Sequence, residues 1–320
     1  MNYEGQICRA PMERSAFMLP VMVGCSYNQC KFCNLFRHLK YRELPMEQIE
    51  EELRRVRNLS GSPKKIFLGD GNAFGMKTEH LLEILQMIER YFPECRCVNM
   101  DATVTSILKK TDAELKALHE HGVQHLYLGI ESGLDDVLAF MNKGNNLIQA
   151  EEAICRLHEN GMVYDAHIMT GVAGKGRGPE NAKALADFLN RTHPYNVVNF
   201  SMFLHKEVPL YQDIREGNYL PSDELDNLKE ERILLELLGG QSIEGAMGIR
   251  YEGFHDYIQF RVRGELPKDR ERMLEKLDRM ILEYPEERTE YSYVEGECPC
   301  LEKCDDGKEI WNMQDSIARK

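Results

Sequence analysis

The segment FMLPVMVGCSYNQCKFC, residues 17–33, joins a run of apolar side chains to a loop that contains three cysteines. The apolar half, residues 17–25, has the length and composition of a buried β-strand. Cys25, Cys30 and Cys33 then fall within nine positions, at the point where that strand ends. A parallel α/β fold repeats one unit, in which a strand leads into a loop and a helix. Whether further units of this kind follow therefore decides which fold the sequence predicts.

Similar strand–helix units do follow along the chain. Buried strands are predicted at residues 64–71, 95–103, 125–133, 163–174 and 196–204, and helices at 46–59, 78–92, 111–122, 148–161 and 179–193. Six strands that alternate with helices imply a parallel sheet with right-handed crossovers. We therefore predict an α/β fold with a partial (β/α)6 TIM-like barrel over residues 1–221.

Polar motifs stand where the predicted strands end. They are GDGNA (69–73), DAT (101–103), ESG (131–133) and TGVAG (170–174), in addition to the cysteine loop. The carboxyl ends of barrel strands meet at one face, where the active sites of barrel enzymes lie. The sequence therefore predicts one functional site to which all of these loops contribute.

The pattern changes after about residue 222. Amphipathic helices are predicted at 222–240 and 267–284, on either side of a short strand-like segment at 255–264. We predict a helical C-terminal extension, residues 222–284, packed on the barrel. Residues 285–320 are polar, irregular and rich in cysteine, and form a separate tail.

The composition fits an ordinary globular protein, with 42% hydrophobic residues and a net charge of −13. No apolar run approaches the roughly 20 residues of a membrane span. The first 15 residues lack the basic and apolar regions of a signal peptide, so a cytoplasmic location is expected. An acidic surface repels phosphate backbones, which makes nucleic acid an unlikely partner.

Clustered cysteines in a reducing compartment more often bind metal than form disulfides. A [4Fe–4S] cluster takes four thiolates, so three from one loop would leave one iron open. A structural zinc ion is the alternative, with His38 as a fourth ligand. A cluster would in turn suit either an enzyme or a non-enzymatic electron carrier.

The cysteine loop resembles that of the radical S-adenosylmethionine (SAM) superfamily, whose usual spacing is C-x3-C-x2-C. The spacing here, C-x4-C-x2-C, is similar to the branch of the elongator catalytic subunit, and GCSYNQCKFC resembles the oxygen-independent coproporphyrinogen oxidases. The resemblance implies a [4Fe–4S] cluster on the three cysteines, with SAM chelating the open iron. It further implies reductive cleavage of SAM to a 5′-deoxyadenosyl radical, with flavodoxin or ferredoxin as the reducing partner.

The same resemblance implies roles for residues at the strand ends. Phe32 would pack near the adenine, and the GDGN segment would bind the SAM amino group. Glu131 would approach the ribose or methionyl part, and Lys143 the carboxylate, while Gly171 would let the adenine lie close to the backbone. The predicted cofactor-binding residues are Phe32, Gly69, Asp70, Gly71, Asn72, Glu131, Lys143 and Gly171.

The tail holds a second group of cysteines, Cys298, Cys300 and Cys304. The resemblance implies an auxiliary iron–sulfur cluster there, and zinc or no metal at all are the alternatives. The predicted substrate is a small molecule or a peptide. RNA is the alternative, because the elongator relatives modify transfer RNA.

Overall fold

A computed structural model of the 320-residue chain describes residue 4 and residues 8–202, 204–239 and 248–285. The strands in these residues are β1 (Phe17–Pro20), β2 (Met22–Val23), β3 (Arg42–Glu43), β4 (Lys65–Gly69), β5 (Cys97–Ala102), β6 (Val123–Glu131), β7 (Val163–Thr170), β8 (Asn196–Ser201), β9 (Ile249–His255) and β10 (Phe260–Leu266). The helices are α1 (Met46–Asn58), α2 (Thr78–Tyr91), α3 (Val104–Leu108), α4 (Asp112–Glu120), α5 (Asp135–Phe140), α6 (Leu147–Glu159), α7 (Gly178–Thr192), α8 (Pro209–Glu216), α9 (Glu224–Leu237) and α10 (Arg270–Glu283).

Eight strands form one sheet in the order β1-β4-β5-β6-β7-β8-β9-β10. Every neighbouring pair from β1 to β9 is parallel, and only β9 and β10 run antiparallel. β1 and β10 are the two edges, and the described residues contain no pairing between them, so the barrel is open. The predicted α/β partial barrel is confirmed, with all six predicted strands in their predicted order.

The strands are buried on both faces, as parallel strands with helical crossovers must be. In β4, Ile66 and Leu68 belong to the core beneath the helices, whereas Phe67 packs in the barrel interior against Tyr127 and Ala10. None of these three β4 side chains is exposed to solvent. The apolar runs in the sequence therefore reflect two cores, one on each side of the sheet.

The segment that precedes β1 fills part of the barrel interior. Glu13 is buried there and accepts hydrogen bonds from the Asn99 amide and the Tyr127 hydroxyl, each at 2.7 Å. Lys65 forms an ion pair with the same carboxylate at 3.2 Å. These contacts place Glu13 inside the barrel, against β4, β5 and β6.

The C-terminal extension differs from its prediction in one respect. The segment 255–264 was expected to be a single short strand, but residues 256–259 form the turn of a hairpin between β9 and β10. β9 pairs in parallel with β8, so this hairpin continues the barrel sheet. The prediction was wrong because the buried alternation of β9 begins at residue 249, ahead of the expected segment.

α9 packs against this part of the sheet through buried charged side chains. The His255 ring lies between two carboxylates, with Nδ1 2.9 Å from Glu224 and Nε2 3.0 Å from Glu231, and all three side chains are fully buried. Burial favours the neutral ring, but the attraction of Glu231 and Glu224 outweighs it and raises the pKa of His255 to about 9. The Tyr251 hydroxyl also donates to Glu231, at 2.7 Å.

In the described part of the chain, no helix is long and apolar enough to cross a membrane.

Candidate functional site

The cysteine loop is anchored to the carboxyl end of the first strand. Directly after β1, the two-residue strand β2 pairs with β3 and closes the base of the loop. The Val21 amide donates to the Gly69 carbonyl at the end of β4 (2.6 Å), and the Leu44 amide donates to the Val21 carbonyl (2.9 Å). Residues 24–41 therefore stand on the face of the sheet where the polar motifs were predicted to meet.

Hydrogen bonds inside the loop hold the second and third cysteines in a turn. The Arg37 guanidinium donates to the Cys33 carbonyl at 2.8 Å and also to the Cys30 carbonyl. The Cys33 amide donates to the Cys30 carbonyl at 3.3 Å. Cys25, Cys30 and Cys33 are half-buried free thiols. The loop thus presents three sulfur atoms from a fixed backbone.

The protonation of these thiols depends on burial. Burial raises the pKa of Cys33 to about 11, and it raises the pKa of Cys30 above its ordinary value. Metal ligation requires the thiolate, so binding an iron–sulfur cluster here would displace these protons.

The positions of the possible metal ligands can be compared with what a structural zinc ion requires. Within the described residues, no three His, Cys, Asp or Glu side chains converge closely enough to bind a single metal ion. A zinc site needs such convergence, including the proposed fourth ligand His38. In a four-iron cluster each cysteine binds a different iron, so the three sulfurs need not converge. Three thiolates from one loop match a cluster that takes three protein ligands and leaves one iron open, whereas a structural zinc ion takes four ligands.

Segment 141–144 packs against the cysteine loop. The Tyr27 hydroxyl donates to the Asn142 carbonyl at 2.5 Å, and the Asn142 amide side chain donates to the Gln29 carbonyl at 3.2 Å. Gly144 has φ +75°, and a β-carbon there would lie 2.6 Å from the Tyr27 oxygen. This close approach requires glycine and places Lys143 beside the loop.

Lys143 and Glu131 form a buried ion pair at this position. Lys143 Nζ lies 2.9 Å from Glu131 Oε1, and each side chain is only 10% exposed. Burial works to lower the pKa of Lys143, but Glu131 and Cys30 outweigh it and raise that pKa. The Lys143 nitrogen is also 5.8 Å from the centre of the Phe32 ring. Glu131 ends β6 with φ +63°, a conformation that non-glycine residues adopt rarely, often at functional sites.

The GDGN segment contacts the cysteine loop from the β4 side. A β-carbon on Gly71 would lie 2.7 Å from the Cys25 β-carbon, and one on Gly69 would lie 2.4 Å from the Met18 methyl group. Asp70 is nearly buried, and burial raises its pKa to about 6, while its carboxylate accepts a hydrogen bond from the Cys8 amide. Asp70 is thus the buried acidic side chain of this segment, and its neighbour Gly71 lies against Cys25.

Asn72 has a different environment from Asp70. Its amide nitrogen donates to the Ser26 hydroxyl at 2.8 Å, and its oxygen accepts from the Thr103 amide at 3.1 Å and the Ser106 hydroxyl at 3.2 Å. Asn72 therefore ties the cysteine loop to the end of β5, and these contacts occupy its hydrogen-bonding groups.

Gly171, at the end of β7, is held by residues from the extension. Its amide donates to Glu230 at 2.9 Å, and its carbonyl accepts from the Tyr219 hydroxyl at 2.7 Å. A β-carbon there would lie 2.4 Å from the Asn227 oxygen. Glu230 is fully buried, which raises its pKa to about 7. The extension therefore fixes the shape of the TGVAG turn.

A second apolar cluster lies at the same end of the barrel as the cysteine loop. Phe32 packs there with Phe140 of α5 and Leu210 of α8, among other residues. The Leu210 amide donates to the Lys31 carbonyl at 3.1 Å, and Lys31 forms an ion pair with Asp213 at 2.9 Å. α8 is thereby fixed against the loop, and apolar side chains shield one side of the site.

Three further residues lie near the site: Asp101, which belongs to the predicted DAT motif, and Cys8 and His167, which were not predicted to belong to the site. Cys8 is close to Asp70, and burial, with the charges of Asp101 and Asp70, raises the pKa of Cys8 to about 12. Burial raises the pKa of Asp101 to about 7. His167 packs between the Tyr127 and Phe200 rings, and its Nε2 is buried without a partner among the described residues. The DAT motif was the only sequence signal for Asp101, and Cys8 had none.

The predicted auxiliary-cluster ligands Cys298, Cys300 and Cys304 lie outside the described residues. Their role stays a prediction.

Residues 19–189, more than half of the chain, match the Radical SAM superfamily. The chain therefore belongs to the radical SAM superfamily, as its cysteine loop indicated. Members of this superfamily are enzymes, and membership implies a [4Fe–4S] cluster and SAM as cofactors.

Sequence similarity extends to a tRNA-2-methylthio-N(6)-dimethylallyladenosine synthase of Chlorobium phaeobacteroides, which is 24% identical over 256 residues. The match covers 76% of this chain and 54% of that protein, and a protein of the same name from Chlorobium limicola matches equally. The chain thus spans about half the length of the curated relatives it matches.

Solved structures show the same fold at low identity. Coproporphyrinogen III oxidase from Escherichia coli has a TM-score of 0.55 and 15% identity, over 71% of this chain and 54% of that chain. A radical SAM methyltransferase from Kitasatospora setae has a TM-score of 0.51 and 15% identity, over 63% of this chain and 39% of that chain. These likenesses support the partial-barrel fold.

Gly71 provides a test of the packing around Cys25. In Gly71→Ala the new methyl group would meet the Cys25 β-carbon and the Phe36 ring, both within 3.0 Å, so the cysteine must move. We expect the iron bound after anaerobic reconstitution to fall by about half or more, with a stability loss of about 1–3 kcal/mol. Gly122→Ala is the matched control, because Gly122 also has positive φ but has no neighbouring atom within 4 Å of the added carbon. Equal iron content in the two variants would contradict this packing argument.

Proposed function

We propose that this chain is a radical SAM enzyme that reductively cleaves SAM and acts on a small molecule or a peptide. The supporting observation is the convergence of three elements at one end of the barrel: the three-cysteine loop, the GDGN segment, and the buried Lys143–Glu131 pair. An electron carrier has no use for the second and third of these elements.

Cys25, Cys30 and Cys33 would hold the cluster through three irons. When bound, the cluster and SAM supply an electron transfer that breaks a carbon–sulfur bond, giving methionine and a 5′-deoxyadenosyl radical. The Lys143 ammonium, beside Cys30, would attract the carboxylate of SAM, and Asp70 would accept a hydrogen bond from its amino group. Glu131 holds the Lys143 ammonium in position.

The apolar cluster around Phe32 would exclude water from the reacting groups. Phe32, Phe140 and Leu210 come from three separate elements, and all three pack in the same cluster. Removing water protects a reactive species from side reactions and strengthens the electrostatic interactions of the buried ion pair. Flavodoxin or ferredoxin would serve as the reducing partner, because the reaction consumes one electron.

RNA modification is the second candidate, favoured by the similarity to the Chlorobium synthases that are named for a modified tRNA nucleoside. The net charge of −13 speaks against an extended RNA-binding surface, since binding the backbone relies on lysine and arginine. A small-molecule or peptide substrate therefore remains the preferred proposal.

The proposal is tested by incubating the anaerobically reconstituted chain with SAM and dithionite and measuring 5′-deoxyadenosine by liquid chromatography. We expect the product to form slowly without added substrate. A metabolite or peptide extract should accelerate it, whereas a tRNA pool should not. Product that appears only with tRNA would favour RNA modification, and none under any condition would contradict the proposed activity.

A further inference from the structure

A polar cleft of about 360 Å³ lies beside the cysteine loop, between the segment that follows β4 and helix α3. Ser26, Tyr27 and Asn72 line it, whereas the three cysteines and the Lys143–Glu131 pair do not, so the cleft adjoins the site described above. Its volume is in the range of small-molecule sites. The lining includes residues that carry ammonium or hydroxyl groups, among them Lys77, Lys109, Lys110, Thr78, Thr105 and Ser106.

Lys110 is the decisive residue of this cleft. It is buried, and its Nζ donates to the Met76 carbonyl at 2.9 Å and to the Thr78 hydroxyl at 3.3 Å. Both acceptors are neutral, and the remaining close contact is the Phe74 ring, 5.1 Å away. An ammonium has three protons, so one is left for a ligand. Buried charges in proteins normally have a charged partner. No described carboxylate lies within ion-pair distance of Lys110, although Glu114 and Glu79 attract it from farther away, and burial lowers the pKa of Lys110.

Two carboxylates, Glu79 and Glu114, also line the cleft, and the Thr78 hydroxyl hydrogen-bonds to Glu114. Glu114 caps helix α4 by accepting from the Thr111 amide at 2.7 Å and from the Thr111 hydroxyl at 2.8 Å. Glu79 is exposed, as are Lys77 and Lys109 at the entrance. The cleft therefore holds three ammonium groups against two carboxylates, a net positive charge in a protein whose own net charge is −13.

We propose that this cleft binds the phosphoryl group of a small phosphorylated molecule. Phosphate carries up to two negative charges and several acceptor oxygens. Several lysines and hydroxyl groups can therefore bind it better than a single lysine can. The Thr103 and Thr105 hydroxyls also line the cleft and hydrogen-bond to each other at 3.1 Å, so one of the two keeps a hydrogen for the ligand. An RNA strand is less suitable, because the chain as a whole carries a net charge of −13.

Asn72 and Ser26 connect the cleft to the cysteine loop, because both line it and they hydrogen-bond to each other at 2.8 Å. A ligand here would contact the residue next to Cys25. The site does not depend on the radical chemistry, so its test requires no SAM cleavage.

The test is isothermal titration calorimetry of the full chain with inorganic phosphate and with pyrophosphate. We expect saturable binding to the wild type, and about tenfold or greater weakening in Lys110→Met. Because Lys110 is buried, the double variant Lys77→Ala, Lys109→Ala gives a second measurement at exposed positions, where folding is not at risk. Lys116→Ala, an exposed lysine on α4 outside the cleft, is the control and should bind as the wild type does.

Absence of saturable binding of both anions by the wild type would overturn the proposal. Equal affinities in the wild type and the double variant would also overturn it. Binding of an RNA oligonucleotide, when neither anion binds, would overturn the proposal as well, because these lysines would then bind a polymer.

Discussion

Replacing Cys25, Cys30 and Cys33 together by alanine should remove all 5′-deoxyadenosine formation and about four irons per chain. The three thiols stand on one loop that Arg37, Asn142 and the β2–β3 pair hold in place, and a cubane cluster without its ligands is not retained. Iron analysis and product chromatography measure the two losses. The loss of 5′-deoxyadenosine should be complete, because all three protein ligands of the proposed cluster are removed.

The control for this experiment is Cys155→Ala, since Cys155 is an exposed thiol on α6. It should keep wild-type iron and activity. The remaining iron also tests the tail: about four irons retained by the triple variant would support an auxiliary cluster on Cys298, Cys300 and Cys304, and none would count against it. Wild-type 5′-deoxyadenosine formation by the triple variant would contradict the assignment of the cluster.

Replacing His255 by glutamine should destabilise the fold by about 3–5 kcal/mol, because it leaves two buried carboxylates without their cation. Glu224 and Glu231 each lie within about 3 Å of the ring, and neither can reach water. Urea denaturation at pH 6.5 measures the loss. His80→Gln is the matched control, because His80 pairs with Glu43 at 2.8 Å on the surface, and its loss should cost at most about 1 kcal/mol.

The same group predicts a dependence of stability on pH. The pKa of His255 is about 9 in the folded chain and ordinarily 6.5, so its contribution is complete below pH 6.5 and is lost as the pH rises through about 9. Burial raises the pKa of Glu230 from 4.5 to about 7, so stability is also lost at this group as the pH rises from about 4.5 to about 7. The free energy of unfolding should therefore fall between pH 6.5 and 9, and this fall should be smaller in His255→Gln. Equal slopes in both proteins would contradict the role given to His255.

The barrel could be predicted from the sequence because its strands are buried on both faces. Ile66, Phe67 and Leu68 form a continuous apolar run, which is typical of a parallel strand buried on both faces. Strand order then followed from chain order, since each crossover connects neighbouring strands. The β9–β10 hairpin was harder to predict, because its alternating side chains face a helix on one side only.

The candidate site could be predicted in part. The sequence located the loops correctly at one end of the barrel, since every parallel strand ends there. It could not show that the Asn72 side chain bridges Ser26 and Ser106, because these contacts join separate units of the chain. The positions of Cys8 and His255 were equally invisible, since each depends on partners far away in sequence.

The central claim is that the three cysteines hold a cluster with an iron open to SAM. Electron paramagnetic resonance of the reduced, reconstituted chain, recorded with and without SAM, tests this claim most directly. The account predicts a [4Fe–4S]⁺ signal that SAM shifts and that the triple cysteine variant lacks. A cluster signal that stays unchanged at saturating SAM would indicate an electron carrier and would contradict the account.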